Sequence, residues 1–368
     1  MAASRKSRSK GRGSGRKGSL RATFLWLLMT LLTAGGTAGF LFPELPVVGP
    51  LAQKGGGLLG AVLDRLPKAG PRPATDTAAL ARINDSVPAA LVSNQRPASK
   101  LLIASFNIQV FGKSKLAKRD VMAVIVHTIR QFDIVAIQEI RGKDDNILPD
   151  LMQMLNSDGS RYQFVIGPRL GRSVSTEQYA FVFDANRVEH DPTSTGTIQD
   201  PRDLMHREPL VARFRSRTEP PERAFTFWLV NVHTDPDDVP TEMAALADVF
   251  EVMQTARPYE DDVILLGDLN ANERQMGRFA QMPGLRWVVG GGVMTNTRQT
   301  KAYDNILFCA PKTGEFTGRW GVFGFETVFG LSRDQALRVS DHLPVWAEFD
   351  AWEGGTSRRA EVDPGFRR

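Results

Sequence analysis

Asp262-Val263-Ile264-Leu265-Leu266-Gly267-Asp268-Leu269-Asn270 is a short apolar run closed by a glycine, a carboxylate and a carboxamide. Four apolar residues bounded by polar ones read as a buried strand, too short for a core helix. The polar residues then stand at the strand's C-terminal end, where side chains from several strands can converge on a shared crevice. The same arrangement recurs along the chain. Asn107 follows the run Leu101–Phe106, Glu139 follows Ile134–Ile137, and His233 and Asp235 follow Phe225–Val232. Asp304 immediately precedes Asn305–Phe308, and Asp341-His342 precedes Leu343-Pro344-Val345. Tyr179–Phe183 is a further strand-like run. Between the runs lie helical periods: Val121, Val124, Ile125 and Ile129 mark one face of Asp120–Arg130, and Met243, Leu246, Ala247 and Phe250 one face of Thr241–Met253. Strands alternating with helices predict a single α/β domain over 98–350.

Outward from that domain the text changes. Residues 1–21 hold eight Lys/Arg and no Asp or Glu, against a net charge of +5 for the 368-residue chain. The domain alone sums to −6, so the basic character belongs to a tail rather than to a nucleic-acid footprint on the fold. From Ala22 to Phe42 no residue is charged. A helix there would be about 31 Å long, which matches the hydrocarbon thickness. With the basic block ahead of it, the segment predicts a single-pass transmembrane anchor with a cytoplasmic N-terminus and an extracytoplasmic domain. A cleaved signal peptide fits less well, because the apolar stretch is too extended. Residues 43–97 carry eight prolines and a Gly55-Gly56-Gly57 run and read as a tether, with room for a short helix at Ala78–Ile83. Residues 351–368 read as a loose tail. The single cysteine, Cys309, excludes an intramolecular disulfide framework and a Cys-rich zinc site.

Carboxylates, carboxamides and histidines without thiolates suit a hard cation and hydrolysis of a phosphate ester. Imidazole titrates near neutral pH, so two histidines can move the protons, each held in orientation by a carboxylate. His233 and His342 fall in such surroundings. His127 lies in a helical stretch, His190 in a polar loop, and His206 in a loop beside Arg207. Asp237 and Asp238 read as a solvated loop, and Gly290-Gly291-Gly292, with no Gly-Lys-Ser/Thr after it, as a loop too.

Eight elements occur in one order: Ser105-Phe106-Asn107-Ile108-Gln109-Val110-Phe111-Gly112, Gln138-Glu139-Ile140-Arg141, Thr176-Glu177-Gln178-Tyr179, Arg207-Glu208-Pro209, Asn231-Val232-His233, Gly267-Asp268-Leu269-Asn270-Ala271, Tyr303-Asp304-Asn305-Ile306 and Ser340-Asp341-His342-Leu343-Pro344-Val345. Together they resemble the endonuclease/exonuclease/phosphatase superfamily, and within it the deoxyribonuclease I branch. The resemblance implies a four-layer α/β sandwich, two packed β-sheets flanked by helices, with the site at one edge. It implies Glu139 as the principal metal ligand with Asp341 and Asn107 nearby, for Mg²⁺ or Mn²⁺, and Ca²⁺ as a structural ion. Asp268 and Asn270 would orient the phosphate, the nucleophilic water or a second metal. His342 with Asp304 would activate water, and His233 with Glu177 would serve the leaving group. Arg141 and Arg207 match positions that approach nucleic acid, and arginine's planar fork suits phosphate. Three features depart from the branch. Ser175 stands where it carries an aromatic residue, Asn305 where it carries an arginine, and no intramolecular disulfide can form.

The expectation is a membrane-anchored, metal-dependent endonuclease with DNA as substrate and no protein partner. A lipid or inositol phosphate phosphodiesterase on the same fold is the first alternative. A non-catalytic binding domain, the second, would be expected to lack one of Glu177, His233, Asp304 and His342, and all four are present.

Overall fold

Strand alternation sorts the apolar side chains to two sides and so builds layers. In β1 (Lys100–Phe111) Leu101 and Ile103 face one side, while Ala104, Phe106 and Ile108 face the other. In β2 (Ile134–Ile140) Ile134 and Ala136 oppose Val135 and Ile137 in the same way. The computed structural model describes residues 96–143, 145–172, 176–256 and 260–354. The expected basic tail, anchor, helix at Ala78–Ile83, Ser175, most of the tether and most of the C-terminal tail lie outside these residues.

The remaining strands are β3 (Tyr162–Ile166), β4 (Gln178–Asp184), β5 (Val188–His190), β6 (Gly196–Thr197), β7 (Leu210–Ser216), β8 (Thr226–His233), β9 (Val263–Asp268), β10 (Leu285–Trp287), β11 (Asp304–Cys309), β12 (Phe316–Val322) and β13 (Val345–Asp350). One sheet runs β12-β13-β1-β2-β4-β3 and the other β10-β11-β9-β8-β7-β5, with β6 paired to β7. The longer helices are α1 (Lys113–Leu116), α2 (Arg119–Ile129), α3 (Ile147–Leu155), α4 (Val239–Thr255), α5 (Phe325–Phe329) and α6 (Arg333–Val339).

Three buried cores fill the spaces between layers. Phe181, Phe214, Phe227, Leu229, Ile264 and Ile306 lie between the two sheets. Val124, Ile125, Leu148, Leu151, Phe325 and Ala336 of α2, α3, α5 and α6 cover the outer face of the first sheet. Met243, Leu246, Phe250 and Met253 of α4 cover the second. The order helix, sheet, sheet, helix is the expected four-layer α/β sandwich. Phe181 and Phe214 meet edge to face at 5.5 Å in its centre. Truncating either would cost about 3–5 kcal/mol.

All six strand-like runs form strands, and both helical periods form helices. The fold continues past the expected end of the domain. Ala351 is buried and Glu353 accepts hydrogen bonds from Thr226, so the first residues of the supposed tail pack against β8. His190 ends β5 rather than lying in a loop, and its ring rests on Phe183 and Phe214. No helix among the described residues is long and apolar enough to cross a membrane.

Strand direction makes one end of the sandwich chemically rich. β1 pairs parallel to β2, and β8 parallel to β9, so their C-terminal ends share a pole. β4, β11 and β13 run antiparallel to neighbours in this set, so their N-terminal ends arrive at the same pole. His233, Asp268 and Asp304 consequently stand side by side in register on three adjacent strands.

Candidate active site

Asp268 is the hub. Its Oδ1 accepts the Asn270 N–H at 3.0 Å, and its Oδ2 accepts from Asn107 Nδ2 at 3.0 Å. That same Oδ2 lies 3.5 Å from Nε2 of His233 and 3.5 Å from Nε2 of His342. One carboxylate oxygen thus faces two imidazoles, each locked from behind. His233 Nδ1 is 2.7 Å from Glu177 Oε1, and His342 Nδ1 is 2.9 Å from Asp304 Oδ2. All five residues are buried. Both expected dyads are therefore assembled, with Asp268 between them.

The electrostatics follow from this packing. Burial raises the Asp268 carboxyl, but the facing His342 and His233 outweigh it and hold the group below its ordinary value. Burial alone would lower His342, yet Asp304 and Asp268 overcome that and push it up to about 10. His233 is likewise raised, since Glu177 and Asp268 prevail over its desolvation. Glu177 is kept low against its burial by His233, Arg207 and Arg141. Carboxylate-backed imidazoles in a water-poor pocket are the arrangement that proton transfer to and from an ester oxygen requires.

The local backbone is shaped to deliver these groups. A Cβ on Gly267 would sit 1.9 Å from the Val232 carbonyl oxygen, so only glycine lets β9 press against β8 and aim Asp268 inward. Val110, Glu139 and Asn270 all have positive φ (49°, 61° and 47°), rare for residues with a Cβ and for a β-branched one above all. Compensation is visible. Val110 N–H donates to Glu139 Oε2 at 2.9 Å, and Asn270 Nδ2 donates to the Thr234 carbonyl at 2.9 Å. Asn270 is accordingly a brace of the Asp268 turn in this structure.

Glu139, Asn107 and Asp341 stand beside this cluster. Asn107 Nδ2 also reaches Glu139 Oε1 at 3.3 Å, leaving Asn107 Oδ1 buried without a hydrogen-bond partner. Asp341 Oδ1 is buried and unpartnered as well. Oxygens stripped of water and given no donor are what a hard divalent cation would satisfy. Glu139, Asn107 and Asp341 therefore fit the implied metal. The tightest trio, Asp268, Asp304 and His342, offers ligand atoms within 4.8 Å of one another, but His342 already spends Nδ1 on Asp304.

Arg141 is partly exposed and lies 3.1 Å from Glu139 and 3.5 Å from Glu177. Arg207 is placed differently: it is buried, with Nε and Nη2 donating to the His233 carbonyl at 3.1 and 3.0 Å. It braces the His233 and Glu177 dyad from behind. His206 pairs through Nδ1 with Asp235 at 3.2 Å, and its N–H donates to Glu242. His127 and Asp237 take no part. Asn305 hydrogen-bonds both polar groups of the Val289 backbone at 3.0 Å, a purely architectural use of that position.

Several supporting residues had escaped the sequence reading. Thr295 Oγ1 donates to Asp304 Oδ2 at 2.7 Å. The Tyr179 hydroxyl bridges the His233 peptide, accepting from its N–H and donating to its carbonyl. Ser340 Oγ donates to the Asn107 carbonyl at 2.7 Å and accepts the His342 N–H at 3.1 Å. Buried Lys115 donates to the Gln109 and Val339 carbonyls. Tyr179 and Ser340 sat within quoted motifs, whereas Thr295 and Lys115 carried no signal of their own.

Comparison with known proteins agrees with this geometry. Residues 104–349 match the Endonuclease/Exonuclease/phosphatase family. The chain is 32% identical over 283 residues to deoxyribonuclease gamma of Mus musculus, covering 71% of this chain and 88% of that protein. It is 31% identical over 259 residues to deoxyribonuclease-1 of Bos taurus, covering 67% and 90%. It is also 31% identical over 258 residues to deoxyribonuclease-1-like 1 of Homo sapiens, covering 67% and 83%. The protein belongs to the endonuclease/exonuclease/phosphatase family, in its deoxyribonuclease I branch, and is a hydrolase of phosphodiester bonds.

Proposed function

We propose that the chain is a membrane-anchored, divalent-cation-dependent endonuclease that cleaves DNA phosphodiesters, with its catalytic domain outside the cytoplasm. The observation that carries the catalytic part is Asp268 Oδ2 standing 3.5 Å from both histidine Nε2 atoms, each backed by its own carboxylate. An in-line displacement needs a proton taken from water on one side and given to the leaving oxygen on the other. Two imidazoles flanking one carboxylate provide both stations. We assign His342 with Asp304 to the water and His233 with Glu177 to the leaving oxygen; a cation beside Asp341 would offset the carboxylates that raise His342 and so free it to take that proton. Arg141 and Arg207 lie 3.5 Å from Glu177 and hold that carboxylate ionised for the second role. Glu139, Asn107 and Asp341 would hold Mg²⁺ or Mn²⁺. A cation there supplies Lewis-acid stabilisation of charge on the phosphate oxygens. Asp268, through Asn107 and the Asn270 turn, keeps both rings facing the substrate. Arg141, the more exposed arginine, would meet a phosphate of the DNA.

The DNA assignment is supported by relatives named as deoxyribonucleases. The domain's charge of −6 disfavours passive adhesion to a polyanion, so bound cations would bridge to the substrate. The anchor rests on the uncharged segment 22–42 behind eight basic residues. Full-length protein incubated with supercoiled plasmid and Mg²⁺ should nick it, and EDTA should abolish the nicking. Intact plasmid beside released headgroup from sphingomyelin or inositol phosphates would replace DNA with a lipid substrate. Resistance to alkaline carbonate extraction tests the anchor, and release into the soluble fraction would refute it.

A further inference from the structure

A third imidazole backed by a carboxylate stands beside the two dyads. His206 Nδ1 lies 3.2 Å from Asp235 Oδ2 and 3.9 Å from Glu242 Oε1. Both members of this pair adjoin the leaving-group dyad. His206 precedes Arg207, whose guanidinium grips the His233 carbonyl, and Asp235 follows His233 by two residues. One buried group imposes the pairing. Glu242, 2% exposed in the first turn of α4, accepts the His206 N–H at 2.7 Å on Oε1 and the Asp235 N–H at 3.0 Å on Oε2. Its two oxygens thus fix both backbones and bring the ring against Asp235. Asp235 Oδ1 is taken by the Asp237 N–H at 2.8 Å, which leaves Oδ2 to the imidazole.

The other nitrogen of the ring is left over. Nδ1 is buried, and its contact with Asp235 is an ion pair rather than a linear hydrogen bond. The side chain as a whole is 28% exposed, so that exposure belongs to the part of the ring away from Nδ1. Nε2 makes no hydrogen bond or ion pair among the described residues. His233 and His342 are built the same way, with Nδ1 on a carboxylate and Nε2 turned to the reaction. Their Nε2 atoms converge on Asp268, whereas no ion pair joins His206 to Asp268 among the described residues. His206 therefore stands outside the proton relay, with a nitrogen to offer beside it.

We propose that His206, oriented by Asp235 and Glu242, binds an oxygen of the phosphate next to the scissile one, on the leaving-group side. This contact rests on the reading of the protein as an enzyme that cleaves DNA. Two residues of chain carry Asp235 up to about 7 Å past His233, beyond the scissile ester and toward its neighbour along the strand. A protonated imidazole whose Nδ1 faces a carboxylate donates outward through Nε2. Contacts to phosphate oxygens fix a protein's register on nucleic acid and carry no base preference. A diester with a single phosphate offers this ring nothing, so His206 favours a polynucleotide over a small ester.

The test uses the full chain with Mg²⁺ on two substrates, supercoiled plasmid and bis(p-nitrophenyl) phosphate, which has one phosphate. His206→Asn keeps the backbone N–H that Glu242 holds. It should raise KM for plasmid about fivefold, the worth of one partly exposed charge contact, with a smaller change in kcat. The slope of log kcat/KM against log salt should flatten by about one. The loss in kcat/KM should be at least about threefold larger on plasmid than on the single-phosphate diester. His206→Lys, which restores a cation, should recover the salt slope. Should His206→Asn fail to fold, Asp235→Asn serves, with KM for plasmid raised in the same direction. Wild-type KM and salt slope in these variants would overturn the proposal. Equal losses on the two substrates would overturn it too, marking His206 as a brace of Arg207 rather than a phosphate contact. Plasmid left intact by the wild-type protein would remove the DNA assignment itself, and this contact with it.

Discussion

Asp262 and Asp268 stand at the two ends of β9, both carboxylates and both buried, in opposite company. Asp268 is surrounded by donors: two imidazoles, the Asn107 amide and the Asn270 N–H. Its charge is stabilised and the group is held below the ordinary carboxylate range. Asp262 faces Glu315, Glu260 and Glu353 and is pushed well above that range, by burial first and then by these neighbours. The contrast teaches that burial does not decide the state of an acid; the sign and donor capacity of its neighbours do. One pole of the sandwich is arranged to use negative charge, and the other to hold it in check.

Substitutions at matched positions test that contrast. Asp268→Asn should lower kcat/KM for plasmid nicking by about 10²–10⁴-fold, because it removes the charge both histidines face. Asp262→Asn, at the other end of the strand, should leave kcat/KM within about twofold. Equal losses would dissolve the distinction between the poles. A smaller effect is expected at Thr295→Val, which deletes the bond to Asp304; one charge-assisted hydrogen bond is worth about 1.5 kcal/mol, or about tenfold in rate. Wild-type rates in that variant would remove Thr295 from the support of the dyad.

Stability separates the poles in the other direction. In metal-free buffer Asp262→Asn should raise Tm by about 2–4 °C at pH 8, since it removes an acid that burial and three neighbouring carboxylates penalise. A fall in Tm would show that the carboxylate is otherwise satisfied. The pH dependence has a definite sign. Glu353 titrates near 8 folded, against an ordinary value of 4.5, so between these pH values the folded state binds more protons than the unfolded. Stability from this group is therefore greatest at low pH and declines as pH rises through that window. Chemical denaturation from pH 5 to 8.5 in EDTA should show the decline, and Glu353→Gln should flatten it.

Much of this was legible in the sequence, for physical reasons. Fully buried strands must be apolar on both faces, so β1, β2, β4, β8, β9 and β11 announce themselves as unbroken runs. β7 hides because Arg213 and Arg215 interrupt it, and β12 because Gly318, Arg319 and Gly321 do. β5, β6 and β10 are too short to show a period. The dyad residues stood out because each stands at or near a strand's end within a recognisable motif. What holds them did not, since Thr295, Lys115 and the inward turn of Arg207 depend on segments brought together only by the fold. The remote acids were invisible for the same reason: Asp262, Glu315 and Glu353 are scattered in sequence, each an unremarkable polar residue at a strand's edge.

The central claim is that the two dyads facing Asp268 move the protons of phosphodiester hydrolysis, His233 at the leaving oxygen and His342 at the water. The direct measurement is single-turnover cleavage by His233→Ala and His342→Ala of an oligonucleotide with either its natural bridging oxygen or sulfur as leaving atom. Sulfur departs without a proton. The account predicts that both variants fail on the natural linkage by at least about 10²-fold, and that sulfur restores His233→Ala but not His342→Ala. Natural-linkage cleavage at wild-type rates in both variants would contradict it.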